Sequence, residues 1–256
     1  MLFGICNLSM VPLRAAKADQ SEMISQLLFG EHFEVLEKEK NWSKIRLTFD
    51  HFEGFIDNKQ YVEITANFYH SIVKETPRYS SEILDFVTNK KNELTTIAIG
   101  SELPLLQNGE FFLEHQKYTY ENSVFEGKLA KHEILKIAFT YLNSPYVWGG
   151  KTPFGIDASG FTQMVYKLCG YSLLRDVKEQ ATQGEVLSFI EESEPGDLAF
   201  FDNEEGEIMH VGIILNDYHI IHSYGKVRID TLDHSGIFNT DLQKHTHTLR
   251  VIKKMI

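Results

Sequence analysis

Between residues 6 and 64 apolar and polar positions alternate in short runs, VPLRA, ISQLLFGEHFEVLEKE, WSKIRLTFD, HFEGFIDN and QYVEI, punctuated by Gly and Asp. A strand turns successive side chains to opposite faces, so this period of two predicts a small antiparallel barrel. A helical connector is predicted around Asn67 to Asn89, and a second strand-rich stretch, TTIAIGSELPLLQNGEFFLEHQKYTYENSV, suits a second, degenerate barrel. The period changes at Lys131 to Asn143, where Ile134, Leu135, Ile137, Ala138, Tyr141 and Leu142 fall at helical spacing and open a new domain. A second helix is predicted to start near Ala158, because Phe161, Met164, Val165, Leu168 and Cys169 share one face, and Gly170 can end it. A third helical stretch, Val177 to Phe189, leads to Pro195-Gly196 and a strand from Asp197 to Phe201. Strands at Ile208 to Leu215 and Tyr218 to Ser223 follow, and TLRVIKKM is predicted to add an edge strand. Helices followed by a sheet make the C-terminal half an α+β domain. The predicted domains are thus 1–64, 65–128 and 129–256.

Composition narrows the partners. The chain of 256 residues is 43% hydrophobic, enough for ordinary cores, and carries a formal net charge of -11 with no basic run. A phosphate backbone needs clustered Lys and Arg, so nucleic acid is excluded and a peptide or small molecule is favoured. No stretch approaches the roughly 20 apolar residues that span a bilayer, so membrane insertion is not expected. The start MLFGICNLSMVPL and the Ala16-Lys17-Ala18 triplet imitate a secretory leader. However, no basic residue precedes the apolar part, and Asn7, Ser9 and Pro12 interrupt it as in a strand and turn. Ile5 before Cys6 does not suit a lipid anchor, and only Cys169 remains as a second cysteine, so a cytoplasmic location is expected. Two cysteines are too few for a cysteine-rich zinc site, and no metal or cofactor is called for.

Chemistry concentrates in YVWGGKTPFGIDASGF, Tyr146 to Phe161, where the tight Gly149-Gly150 and Gly155 turns and the polar Asp157 lead into a helix start at Ala158. At the first turn of a helix unpaired N–H groups and the helix dipole favour an anion, whether a thiolate or an oxyanion. Downstream, the strands of IMHVGIIL and YHIIHSY turn at about Asn216, which sets His210 opposite His222 on one face. Paired in this way, one imidazole can hold the tautomer of the other. His219 and His234 do not share that relation to His210. Taken singly, an Asp or Ser at a helix start is a cap, and a strand histidine is more often structural than catalytic. The conjunction is what points to catalysis.

The runs YLNSPYVWGGKTPFGIDASGFTQMVY, LLRD, EPGDLAFF, HVGIIL and IIHSYGKVRID strongly resemble the NlpC-type cell-wall cysteine peptidases, over essentially the whole C-terminal half. LLFGEHFEVLEKEKNWSKIRL with FEGFI resembles bacterial SH3-like domains over about sixty residues. The resemblance implies a papain-like domain behind one or two SH3-like barrels. It places the catalytic thiol at position 158, the general base at His210 and its orienting partner at His222. It further implies that the Tyr146 hydroxyl and the position-158 N–H stabilise the oxyanion. The domain order and Arg175-Asp176 are similar to those of the γ-D-glutamyl-L-diamino acid endopeptidases, which cut L-Ala-γ-D-Glu-diamino acid peptides from murein. In that subgroup this Asp binds the free amine of L-Ala, so Asp176 takes that role, and Glu22 of the first SH3-like domain is a second candidate. Arg175, Trp148, Asp157 and Ser159 complete the expected substrate-binding set. Phe52 and Phe55 stand where the SH3-like pattern often has Tyr and Trp, so hydroxyl contacts from that site are lost.

The sulfur itself is missing, since position 158 is alanine. Cys169 cannot replace it, lying about 16 Å along the same helix at 1.5 Å per residue, and Ser159 points about 100° round it. Loss of such a nucleophile costs on the order of a millionfold in turnover, so an inert chain is expected. Two origins fit: a deliberate Cys-to-Ala replacement, favoured because base, orienter and Asp176 remain, or a natural pseudo-enzyme that binds or senses muropeptides. An SH3-like interaction module with the C-terminal half as scaffold is a third reading.

Overall fold

The computed structural model describes residues 1–216 and 218–256, in two compact units, Met1–Lys128 and Leu129–Ile256.

In the first unit, β1 (Leu2–Ile5), β2 (Met10–Arg14), β3 (Met23–Leu28), β4 (His32–Lys38), β5 (Trp42–Leu47), β6 (Glu53–Asp57) and β7 (Val62–Ile64) form one antiparallel sheet in the order β3-β2-β6-β5-β4-β1-β7. The alternation in the sequence is realised directly. Ser43, Ile45 and Leu47 of β5 are buried while Trp42, Lys44 and Arg46 are more accessible, and Val11, Leu13, Leu27, Phe33, Ile45 and Ile56 share one core. The predicted connector is shorter than its pattern suggests, because α1 (Ala66–Lys74) ends near Glu75 and its remainder is strand. Those residues enter β8 (Arg78–Ser80) and β9 (Leu84–Asn89). With β10 (Leu94–Ala98), β11 (Glu110–Leu113), β12 (Gln116–Thr119) and β13 (Val124–Glu126) they form a four-stranded sheet, β10-β9-β12-β11, and a β13-β8 pair. Pairing of β9 with both β10 and β12 supplies hydrogen bonds that outweigh any local helical preference. An apolar cluster runs from Phe3, Ile5 and Phe29 through Tyr69 and Ile72 to Val87, Ile97 and Phe111, so no break in packing marks residue 64.

The second unit opens with α2 (Glu133–Thr140), and a small hairpin, β14 (Lys151–Thr152) and β15 (Gly155–Ile156), precedes α3 (Ala158–Leu168). Phe161, Met164, Val165, Leu168 and Cys169 are buried as their spacing predicts, each large apolar side chain contributing about 1.5–3 kcal/mol. Thr162, Gln163 and Lys167, on the face the pattern leaves polar, are buried too. Polar partners make that possible: Thr162 Oγ1 donates to Gln180 Oε1 at 2.7 Å, and Gln163 Nε2 to the Leu173 carbonyl at 3.0 Å.

The predicted third helix is only α4 (Val177–Gln180). Beyond it Gly184 takes φ +69° and residues 185–187 become β16 (Glu185–Leu187), held by the C-terminal strand, with a short 3₁₀ turn at Ile190–Glu192 after it. Strands β17 (Leu198–Asp202), β18 (Ile208–Ile214), β19 (His219–Tyr224), β20 (Lys226–Asp233), β21 (Gly236–Asn239) and β22 (Lys244–Lys254) follow. The TLRVIKKM segment is not an edge, since β22 pairs with β16, β17 and β21 and thereby closes β17 to β22 into a barrel. Ala199, Phe201, Ile214, Ile220, Leu232, Ile237 and Ile252 fill its interior, and α3 packs on β18 and β19. Few helices and many strands, with a strand-rich unit ahead of an α+β domain, match the expected fold class. Among the described residues no helix is long and apolar enough to cross a membrane.

Candidate active site

Ala158 is the first residue of α3 and only 8% exposed. Asp157 caps the helix, its Oδ1 accepting the Gly160 N–H at 2.6 Å and its Oδ2 the Gly149 N–H at 2.8 Å. A side chain at Gly160 would place its Cβ 2.3 Å from the Gly150 carbonyl oxygen, so the glycine lets the helix start close against the turn before it. Arg175 completes the junction. It is 3% exposed, donates to both Asp157 oxygens at 3.1 and 2.6 Å, and donates to Ser159 Oγ at 2.8 Å. The carboxylate beside position 158 is therefore neutralised in place, which removes a charge that would oppose a thiolate there. Arg175, Asp157 and Ser159, expected to bind substrate, thus spend these contacts on holding the helix start. Arg175→Met should leave a buried, unmatched carboxylate and cost about 3–5 kcal/mol. Denaturant unfolding checks this, and a loss below about 1 kcal/mol would show the pair to be dispensable.

The histidines come together by a register different from the predicted one. Gly212 lies opposite His222 and Ile214 opposite Ile220, two residues out of the predicted register. His210 is consequently not directly across from His222. A shift of two preserves the face, and the rings meet on the diagonal, His210 Nε2 to His222 Nδ1 at 2.8 Å. Gly212 permits this, since a Cβ there would come within 2.9 Å of the His222 Cβ. Both rings lie on the inward face of the barrel at one end, His210 7% and His222 0% exposed. The opposite face of β19 ties the helix to the same end: Ser223 Oγ donates to the Ile156 carbonyl, two residues before Ala158, at 2.8 Å.

Three participants escaped the sequence reading. Asp230, 1% exposed on β20, accepts from His222 Nε2 at 3.1 Å. Arg228 donates to the same carboxylate through Nε at 2.7 Å and Nη2 at 2.8 Å. His247 of β22 stacks on His210 with centroids 4.1 Å apart and meets Tyr224 edge-on. A period-two reading of KVRIDTLD puts Arg228 and Asp230 on the inward face next to the histidine strand, which is the signal that was present. His247 gave none, because a bulge in β22 resets the alternation before it.

Burial sets the protonation states. It holds His210 well below the usual imidazole range, aided by His222 and His247, and lowers His222 despite Asp230. His247 is pushed down to about 4, again by burial first. Burial pushes Asp230 up, but hydrogen bonds from His222 and Arg228 outweigh it and bring the carboxyl down to about 2. Below about pH 6.5 unfolded chains take up protons that these folded histidines refuse until near 4 at His247. Stability that is full at neutral pH should therefore fall as pH drops through that window. Melting temperatures taken between pH 7 and 4 should show it, with a shallower fall in His247→Phe; the same slope in both chains would contradict the assignment.

The remaining expected residues lie outside the strands that carry the histidine pair. Tyr146 is 38% and Trp148 57% exposed on the turn before β14, where the Tyr146 N–H bonds to the Gly225 carbonyl at 3.0 Å. Burial, with Asp157, pushes the Tyr146 hydroxyl up, so it stays protonated as a donor. Asp176 is exposed and caps α4 by accepting the Lys178 N–H at 2.8 Å. Glu22 is exposed in the first unit, just before β3. Cys169 is buried at the end of α3, with burial pushing its thiol up to about 12, an inert group. Among the described residues no three His, Cys, Asp or Glu are arranged to hold a metal ion.

Residues 143–247 match the NlpC/P60 family and residues 13–60 the bacterial dipeptidyl-peptidase SH3 domain. A gamma-D-glutamyl-L-lysine dipeptidyl-peptidase of Bacillus subtilis is 37% identical over 102 residues, 39% of this chain and 34% of that protein, so the match spans about a third of its length. A Bacillus cereus protein of the same name is 26% identical over 231 residues, 79% of this chain and 68% of its own. The crystal structure of an NlpC/P60 family protein from Bacillus cereus superposes with a TM-score of 0.82 over 99% of both chains at 19% identity, a likeness of fold. This chain therefore carries an SH3 domain of the bacterial dipeptidyl-peptidase kind at residues 13–60 and an NlpC/P60 domain at residues 143–247.

Proposed function

We propose that this chain binds murein-derived peptides with a free N-terminal L-Ala, of the form L-Ala-γ-D-Glu-diamino acid, in a cysteine-peptidase site that lacks only its nucleophile. The observation that carries this reading is the His210–His222–Asp230 chain, hydrogen-bonded throughout, at the barrel end to which the start of α3 is tied. With a thiol at position 158, the thiolate attacks the γ-D-Glu carbonyl carbon and the oxyanion falls to the N–H at position 158 and the Tyr146 hydroxyl. His210 then delivers the proton to the departing amine, the C–N bond breaks, and water resolves the thioester. With Ala158 the sequence stops at binding.

Recycling of released peptides in the cytoplasm is part of the proposal, and two buried cysteines outside any disulfide fit a reducing compartment. Asp176 is assigned the peptide's ammonium group, because only one of its oxygens is engaged by the α4 cap and the side chain is exposed. A carboxylate–ammonium contact contributes about 1.5–3 kcal/mol, roughly tenfold to 150-fold in affinity. Calorimetric titration tests this: Asp176→Asn should weaken binding of the free-amine peptide by that factor while leaving the N-acetylated peptide unaffected. Equal losses for both would remove Asp176 from the amine site, and no binding of either by the unaltered chain would refute the peptide reading. A second reading, a native pseudo-enzyme, is favoured by Ala158 itself and predicts that codon in the source gene.

A further inference from the structure

We propose that Asp230, held ionised by Arg228, is a positioning residue that sets the tautomers of both active-site histidines and leaves Nδ1 of His210 as the bare, proton-accepting nitrogen. The inference rests on the peptidase reading only in naming His210 as the base. It follows from counting protons along a chain of hydrogen bonds. An ionised carboxylate can only accept, so the contact between His222 Nε2 and Asp230 Oδ2 at 3.1 Å requires the proton on Nε2. His222 is fully buried and neutral, so its Nδ1 is bare. The 2.8 Å contact from that nitrogen to His210 Nε2 then requires the proton on His210 Nε2. His210 is neutral as well, and its one remaining nitrogen, Nδ1, carries the lone pair.

Each step depends on the one before, and the first depends on Asp230 staying charged. Arg228 secures this with two donors to the carboxylate, while Thr240 and Asn239 add weaker contacts at 3.3 to 3.4 Å. A neutral or absent group at 230 leaves His222 free to carry its proton on Nδ1. His210 Nε2 must then accept, and the proton moves to His210 Nδ1, where the imidazole cannot take one from a nucleophile. The stacking of His247 on His210 at 4.1 Å holds the ring plane but supplies no hydrogen bond in the chain, so it does not choose the tautomer.

The test uses the full chain labelled with ¹⁵N-histidine, in which correlation spectra distinguish protonated from bare ring nitrogens. At pH 7, His210 and His222 are both expected as the Nε2–H tautomer, and a proton on Nδ1 of His210 would overturn the inference. In Asp230→Leu the Nδ1–H form of His210 should rise from undetectable to a substantial fraction, and in Arg228→Met, which removes two donors from the carboxylate, it should rise to a smaller one. An unchanged spectrum in Asp230→Leu would refute the assignment, and an unchanged spectrum in Arg228→Met would overturn the part given to Arg228. Should Asp230→Leu not fold, Asp230→Asn serves, since its neutral amide accepts less strongly: the Nδ1–H form should become measurable, and its absence counts against the proposal. None of these spectra needs a peptide or a thiol. Failure of the Ala158→Cys chain to cleave peptide would therefore strike the functional reading and leave this one standing, and the reverse outcome would do the opposite.

Discussion

Ala158→Cys is expected to raise cleavage of L-Ala-γ-D-Glu-diamino acid peptides by on the order of a millionfold over the unaltered chain, the usual loss when such a nucleophile is removed. The site asks for little else. Position 158 opens a capped helix, where free amide donors favour both a thiolate and an oxyanion. The carboxylate that precedes it in the chain, Asp157, is matched by Arg175. The base and its orienting partners are already hydrogen-bonded into one chain, so they need no rearrangement to act. Mass spectrometry of the reaction should show L-Ala-D-Glu and the free diamino acid. A folded Ala158→Cys chain that yields neither would contradict the peptidase reading.

In that restored background His210→Gln should lower turnover by about 10⁴-fold and change peptide binding little, since general-base catalysis by a positioned group is worth about 10²–10⁴ and the thiolate also depends on it. Glutamine preserves a polar side chain of similar reach but cannot take a proton. Burial keeps His210 neutral in the Ala158 chain, and an imidazolium forms only when a thiolate forms beside it, which makes the pair strictly interdependent. Steady-state kinetics on both chains decides the point. A loss under tenfold would mean that another group serves as base.

Much of this architecture was legible from residue pattern. Period two in β5 and helical spacing in α3 predicted both elements, because in each case burial follows the local period. Where distant pairing decides the structure, local pattern misled. Residues 185–187 continue a helical pattern but become β16 because β22 offers them a ladder, and β22 reads as an edge although it closes the barrel. Similarly, Thr162, Gln163 and Lys167 read as a solvated face yet lie buried against residues that follow the helix. At the site, the face shared by His210 and His222 was legible because strand parity survives a register shift of two. The parity of Asp230 was legible as well, but its role was not, since that depends on a third strand brought alongside the hairpin.

The most direct measurement of the central claim, that position 158 confronts the imidazole of His210, is the pH dependence of alkylation of the Ala158→Cys thiol by iodoacetamide. A free cysteine ionises near 8.5, and one paired with an imidazole at a helix start ionises well below that. Rapid labelling at pH 6, with the thiol returning towards the ordinary range when His210→Gln is added, is the predicted result. A thiol that titrates at about 8.5 in both chains, as an unperturbed cysteine does, would contradict the account.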